Sequence, residues 1–125
     1  SNLNGINILV VDDEVDSLQL IAFILEQEGA KITTATSASA ALESITKSIP
    51  DLIISDIGMP EMDGYELIQR IRASEKSKSI PAIALTAYAN ETDEQKAITA
   101  GFQKHVSKPI DTNTVIDMVV ELVRS

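Results

Sequence analysis

Acidic side chains follow two of the short apolar runs in the sequence. Asp12, Asp13 and Glu14 come after the first run, and Asp56 comes after the third, Leu52–Ser55. If these runs are neighbouring strands, three of the carboxylates converge. Two like charges about 4 Å apart repel by roughly 4 kcal/mol at an effective dielectric constant near 20. The group therefore requires a bound cation or a raised pKa.

An oxygen-rich site of this kind suits a hard divalent cation. Mg²⁺ fits because it binds carboxylates and keeps waters that a phosphate oxygen can replace. The nearby cation is Lys108, which follows the fifth apolar run and can pair with Asp56 or with a phosphoryl group bound there. The residue types predict a magnesium site with a single ammonium group beside it.

The elements that must position these residues alternate between strand and helix patterns. Nearly continuous apolar runs predict strands that are covered on both faces. Five strand-then-helix units in succession predict an α/β fold with a mainly parallel, doubly wound sheet. Active residues of such sheets lie at the carboxyl ends of the strands, where all the residues above fall. The predicted strands are Ile6–Val11, Ile32–Ala35, Leu52–Ser55, Ala82–Thr86 and Lys104–Val106.

Capping residues between the runs predict where five helices begin and end. Ser37, Asp63 and Asp111 are the expected N-terminal caps, and Gly29 and Gly101 are the expected terminators. The first helix has an apolar stripe with helical spacing, which it is expected to bury. That stripe consists of Val15, Leu18, Ile21, Ile24 and Leu25.

The length and composition predict one cytoplasmic domain over residues 3–125, with residues 1–2 as an expression scar. The chain has 125 residues, 44% of them apolar, and no cysteine, so it can form a core but no disulfide or thiolate metal site. The net charge of −9 argues against direct binding of nucleic acid or anionic lipid, because both are bound largely through Lys and Arg.

Four segments at four strand ends resemble the motif set of response-regulator receiver domains. The resemblance covers essentially the whole chain, with the motifs in the family's order. It implies a flavodoxin-like fold in three layers, with strand order 2-1-3-4-5 and five helices on the two faces of the sheet. The segments are Val10-Val11-Asp12-Asp13-Glu14, Ile54 through Gly64, Leu85-Thr86-Ala87-Tyr88 and Val106-Ser107-Lys108-Pro109-Ile110.

The resemblance also implies roles for the acidic residues and the lysine. Asp56 is the expected phosphoacceptor. Asp12, Asp13 and Asp56, with the backbone carbonyl of Gly58, are the expected ligands of Mg²⁺, for which Mn²⁺ can substitute. Lys108 is expected to pair with the phosphoryl oxygens. Glu14 fits the motif, but the sequence assigns it no contact with the metal.

A conformational switch is the second implication of the resemblance. Thr86 is expected to donate its hydroxyl to the phosphoryl group, and Tyr88 stands at the family's aromatic switch position. The Lys108–Pro109 peptide bond is expected to be cis. The sole histidine, His105, has no nameable carboxylate partner and is expected to be a surface residue of the fifth strand.

The implied function is that of a phosphoacceptor switch in a two-component phosphorelay. The expected donor is a histidine kinase or a histidine phosphotransfer domain, and small acyl phosphates can also serve. The domain is expected to catalyse only its own phosphorylation and slow dephosphorylation, so it is not an enzyme with a separate substrate. The fourth helix, fifth strand and fifth helix form a common dimer surface in the family. The lead-in Leu3-Asn4-Gly5 resembles those before receivers of hybrid sensor kinases, which slightly favours a fragment of such a protein.

Three alternative functions remain open at this point. A Mg²⁺-dependent phosphohydrolase typically carries Asp-x-Asp at its first strand, whereas this chain has adjacent Asp12-Asp13. A nucleotide- or flavin-binding domain is disfavoured because neither G-x-G-x-x-G nor G-x-x-x-x-G-K-[ST] occurs. A receiver-like module that acts by protein contact alone is expected to lack the acid pair, Asp56 or Lys108.

Overall fold

The computed structural model describes residues 2–87 and 90–124, in which five parallel strands alternate with five helices. The strands are β1 (Asn7–Val11), β2 (Lys31–Ala35), β3 (Leu52–Asp56), β4 (Ala82–Thr86) and β5 (Lys104–Ser107). The helices are α1 (Val15–Gln27), α2 (Ala38–Lys47), α3 (Gly64–Ala73), α4 (Glu91–Ala100) and α5 (Thr112–Arg124). The order β2-β1-β3-β4-β5 confirms the predicted sheet, and no predicted strand end is off by more than one residue.

The core lies in two apolar clusters on opposite faces of the sheet. Leu9 and Val11 belong to one cluster, and Ile8 and Val10 belong to the other, because successive side chains of a strand point to opposite faces. Helices α2, α3 and α4 contribute buried residues to the first cluster, and α1 and α5 contribute to the second. The predicted three-layer arrangement is therefore confirmed.

The predicted N-terminal caps are present at α2, α3 and α5, and at α5 Asp111 accepts a hydrogen bond from the N–H of Thr114 at 3.0 Å. The side chain of Ser37 accepts a hydrogen bond from the backbone N–H of Ala40, at 3.1 Å. Asp63 accepts one from the N–H of Glu66, at 2.9 Å. Each bond satisfies a backbone donor that the first turn of a helix leaves unpaired. These local contacts fix where α2 and α3 begin relative to the strand before each of them.

One residue of the predicted apolar stripe of α1 is not buried. Leu18, Ile21 and Leu25 are buried as expected, but Val15 is 52% exposed. Val15 is the first residue of α1. The first turn of the helix therefore lies beyond the carboxyl end of β1, where it has no strand to pack against. None of the helices within the described ranges is both long and apolar enough to cross a membrane.

Candidate functional site

The register of the two central strands brings the acidic residues together. Val11 of β1 lies opposite Ser55 of β3, so Asp12 and Asp56 follow at the same edge of the sheet. Carboxylate oxygens of Asp12, Asp13 and Asp56 all lie within 4.8 Å of one another. Asp12 and Asp56 are buried, whereas Asp13 is exposed. The predicted convergence of the three carboxylates is confirmed.

Only one of the two carboxylate oxygens of Asp12 accepts a hydrogen bond from the described residues. Its Oδ1 accepts a hydrogen bond from the backbone N–H of Glu14 at 2.9 Å. Its buried Oδ2 accepts none from the residues that the structure describes, although Lys108 Nζ lies 3.0 Å away as an ion pair. A buried carboxylate oxygen without a hydrogen-bond donor destabilises the protein. The all-oxygen donor set, in which this oxygen accepts no hydrogen bond from the described residues, fits a hard divalent cation such as Mg²⁺.

The electrostatic surroundings of Asp56 disfavour its negative charge. Burial and, next, the charge of Asp12 raise the pKa of Asp56 to about 6, against the opposing effect of Lys108. Asp13 adds a smaller contribution in the same direction. At neutral pH the carboxylate is still mainly ionised, so the pocket holds three negative charges. A divalent cation would relieve this repulsion.

Lys108 lies among three carboxylates at the rim of this pocket. Its Nζ is 3.0 Å from Asp12 Oδ2, 3.0 Å from Glu14 Oε1 and 3.4 Å from Asp56 Oδ2. Burial lowers the pKa of Lys108, but the carboxylates of Glu14 and Asp12 and the charge of Asp56 outweigh burial and raise it overall. Lys108 is therefore a permanent ammonium beside Asp56.

The contact between Glu14 and Lys108 is a feature of the site that sequence reasoning missed. The two residues are 94 positions apart in the chain. Nothing in the spacing of either motif indicates that their side chains meet. In the order β2-β1-β3-β4-β5, two strands separate β1 from β5, so the strand order does not by itself predict this contact.

The remaining predicted site residues lie at the same edge or in the loops beyond it. Thr86 ends β4 and is buried, and its carbonyl accepts a hydrogen bond from the N–H of Lys108 at 2.8 Å. The Lys108–Pro109 peptide bond is cis. Gly58 lies exposed in the loop between β3 and α3. Tyr88 lies outside the described residues.

His105 lies apart from the carboxylate group. It is half-buried in the edge strand β5, where it pairs in register with Ala84 of β4. The motif residues Asp12, Asp13 and Asp56 thus form the acidic centre of the pocket without it.

Comparison with known proteins identifies the family. The sequence profile of the response regulator receiver domain matches residues 8–120. The chain belongs to this family. A receiver domain of this kind is a signalling domain of two-component systems that accepts phosphoryl groups from histidine kinases or phosphotransfer domains. The fold and the carboxylate pocket described above agree with that membership.

Individual proteins are similar to most of this chain. An uncharacterized 14.6 kDa protein in the sodA1 3′ region of Leptolyngbya boryana is 48% identical over 117 residues, which is 94% of this chain and 89% of the relative. The response regulator SaeR of Staphylococcus aureus is 34% identical over 88% of this chain, which spans only 47% of SaeR. The structure of the chemotaxis response regulator CheY4 of Vibrio cholerae matches with a TM-score of 0.89 at 27% identity, covering 94% of this chain and 98% of CheY4.

Proposed function

We propose that this receiver domain accepts a phosphoryl group on Asp56 from a phosphohistidine of a histidine kinase or phosphotransfer domain, with Mg²⁺ bound beside it. The observation that carries the proposal is the convergence of Asp12, Asp13 and Asp56 within 4.8 Å, together with Lys108 Nζ at 3.4 Å from Asp56.

The transfer forms one bond and breaks one. A carboxylate oxygen of Asp56 attacks phosphorus, the P–N bond to the donor imidazole breaks, and the imidazole leaves with its proton. A carboxylate is a modest nucleophile, so positioning and neutralisation of charge provide most of the acceleration. Lys108 supplies a fixed positive charge close to the reacting oxygens.

The metal would be held by this chain's own oxygen atoms. Asp12, Asp13 and Asp56 would bind it, together with the carbonyl of Gly58, and Mn²⁺ could take its place. Bound Mg²⁺ would neutralise charge on the phosphoryl oxygens. The buried Oδ2 of Asp12 supports this assignment, because it accepts no hydrogen bond from the described residues and has only an ion pair with Lys108.

The readout would begin at Thr86. Its side chain lies buried at the end of β4, and a phosphoryl group on Asp56 would draw its hydroxyl inward by a hydrogen bond. Tyr88 would then turn toward the space that Thr86 leaves, which would change the surface around α4. A local hydrogen bond of this kind can bias a wider structural change. The acyl phosphate would afterwards hydrolyse slowly and end the signal.

One experiment tests acceptor and readout together. The protein is incubated with acetyl phosphate and MgCl₂, the added phosphoryl group is located by mass spectrometry, and amide NMR shifts around α4 are followed. We expect a gain of one phosphoryl group on Asp56, none on Asp56→Asn and none in EDTA. Thr86→Ala is expected to gain the group but to lose most of the α4 shift changes. Modification at another residue, or full modification in EDTA, would contradict the proposal. An unchanged α4 response in Thr86→Ala would remove Thr86 from the switch.

A further inference from the structure

The ammonium of Lys108 is shared unequally among its three carboxylate neighbours. Glu14 Oε1 and Asp12 Oδ2 each lie 3.0 Å from Nζ, whereas Asp56 Oδ2 lies 3.4 Å away. The contact with Glu14 also has the geometry of a hydrogen bond. The residue that must receive the phosphoryl group is therefore the most distant of the three partners.

The position of Glu14 just before α1 does not explain the direction of its side chain. Glu14 is the N-cap residue of α1, but its side chain makes no capping hydrogen bond. Ser, Thr, Asp and Asn are the residues that usually cap a helix in this way. The side chain of Glu14 instead extends to Lys108 and remains 67% exposed, while that of Lys108 is 18% exposed. Glu14 thus holds the ammonium from the solvent side of the pocket.

We propose that Glu14 is a positioning residue that holds Lys108 toward the rim of the pocket and competes with Asp56 for its ammonium. This inference rests on the proposed function of Asp56 as phosphoacceptor. A phosphoryl group on Asp56 adds negative charge on the inner side of Lys108, so the ammonium must move inward and the Glu14 contact must lengthen. Glu14 therefore opposes the phosphorylated state, and its side chain is released when that state forms.

The equilibrium consequence can be measured with beryllofluoride, a stable mimic of the phosphoryl group on an aspartate. Without the Glu14 carboxylate, Lys108 pairs with the mimic unopposed. We expect Glu14→Gln to bind beryllofluoride about two- to fivefold more tightly than wild type, the range that one partly exposed ion pair contributes. The titrations are done at saturating MgCl₂, so that a change in metal affinity does not enter.

Two control variants distinguish the effect of the length of the Glu14 side chain from the effect of its charge. Glu14→Asp keeps the charge but shortens the side chain by one methylene, so it should lose the 3.0 Å contact and bind the mimic more tightly than wild type. Asp16→Asn removes one charge from the first turn of the same helix, at a residue with no ion pair among those that the structure describes. We expect Asp16→Asn to resemble wild type. If Glu14→Gln and Asp16→Asn shift the affinity equally, the inference is wrong.

A second measurement tests the contact without metal or mimic. The ammonium ¹⁵N and ¹H signals of Lys108, identified by their absence in Lys108→Arg, are recorded in EDTA. We expect the Lys108 signal to be protected from hydrogen exchange in wild type and Asp16→Asn, and to exchange faster in both Glu14 variants. An unaltered Lys108 signal in Glu14→Gln overturns the inference. If the contact is seen but no protein binds beryllofluoride, the proposed function fails and the inference falls with it. If all four proteins bind beryllofluoride equally, only the inference falls.

Discussion

At the scale of single residues, the pocket is built from groups whose charges disfavour one another. Asp56 has a pKa of about 6 because it is buried and lies near Asp12. Lys108 offsets only part of this effect, and the buried Asp12 Oδ2 has no hydrogen-bond donor among the described residues. Such an arrangement destabilises the metal-free protein and favours the binding of a cation. The charges that would attract a cation to Asp56 therefore lower the stability of the metal-free protein.

The first prediction concerns the stability of the metal-free protein as a function of pH. The pKa of Asp56 is raised on folding, so the folded state favours the protonated form, and stability is lost as pH rises from about 4 to about 6. Removing the charge should reverse that loss. We expect Asp56→Asn to be more stable than wild type above pH 6 by on the order of 1–3 kcal/mol, and the two proteins to be equally stable near pH 4.

Urea unfolding in EDTA at a series of pH values measures this difference. Asp117→Asn, an exposed change on α5, serves as the control and should show no such pH dependence. A constant difference between Asp56→Asn and wild type across the pH range would mean that burial of the charge does not destabilise the fold. With Mg²⁺ added, the advantage of Asp56→Asn should shrink, because the cation stabilises the wild type, with three carboxylates, more than the variant, with two.

At the scale of the secondary-structure elements, the start of α3 lies directly against the backbone of Asp56. Asp63 caps α3, and the N–H of Gly64 donates a hydrogen bond to the carbonyl of Ile57 at 2.8 Å. A Cβ atom at Gly64 would lie 2.5 Å from the backbone oxygen of Asp56 and 2.8 Å from the Cα of Ile57. Only glycine allows α3 to approach the end of β3 this closely.

The second prediction compares two glycines on either side of the same loop. Gly64→Ala must move backbone atoms, so we expect it to lower the free energy of unfolding by about 1–3 kcal/mol and to shift the amide NMR signal of Asp56. Gly58→Ala places its Cβ in open space, with nothing within 4 Å, and should change stability by less than about 0.5 kcal/mol. Urea unfolding and amide spectra of both variants test this. Equal effects would show that the close approach at Gly64 is not rigid.

At the scale of the whole molecule, the segment before β1 is part of the core. Leu3 is fully buried in the cluster that α1 and α5 cover. Its N–H donates a hydrogen bond to the carbonyl of Glu28 at 3.0 Å. The side chain of Asn4 occupies the space beside Gly29, whose φ of +97° favours glycine. The segment before β1 therefore packs into this cluster and contacts the end of α1.

The third prediction compares a leucine in this segment with one on the surface of α1. Leu3→Ala removes a fully buried side chain and should lower the free energy of unfolding by about 2–4 kcal/mol. Leu20→Ala changes a side chain that is 51% exposed and should have an effect below about 1 kcal/mol. Thermal and urea unfolding measure both. A small effect of Leu3→Ala would mean that the segment does not contribute to the core in solution.

The sequence by itself determined the strands, the helix starts and the candidate residues of the pocket. Apolar runs and capping residues such as Ser37 and Asp63 act over a few positions, so their pattern can be read along the chain. The doubly wound sheet follows from five such units in succession. The resemblance of the motifs then supplied the strand order, which the structure confirms.

Only the tertiary structure decided how these residues act on one another. The hydrogen-bond-free oxygen of Asp12, the raised pKa of Asp56 and the contact between Glu14 and Lys108 depend on distances between segments far apart in the chain. Burial of Leu3 and exposure of Val15 depend likewise on which element lies beneath each side chain. The local sequence pattern specifies each helix and strand. Electrostatic energies, however, change when the distance between two charged groups changes by a few ångströms or less. The packing of the whole chain sets those distances.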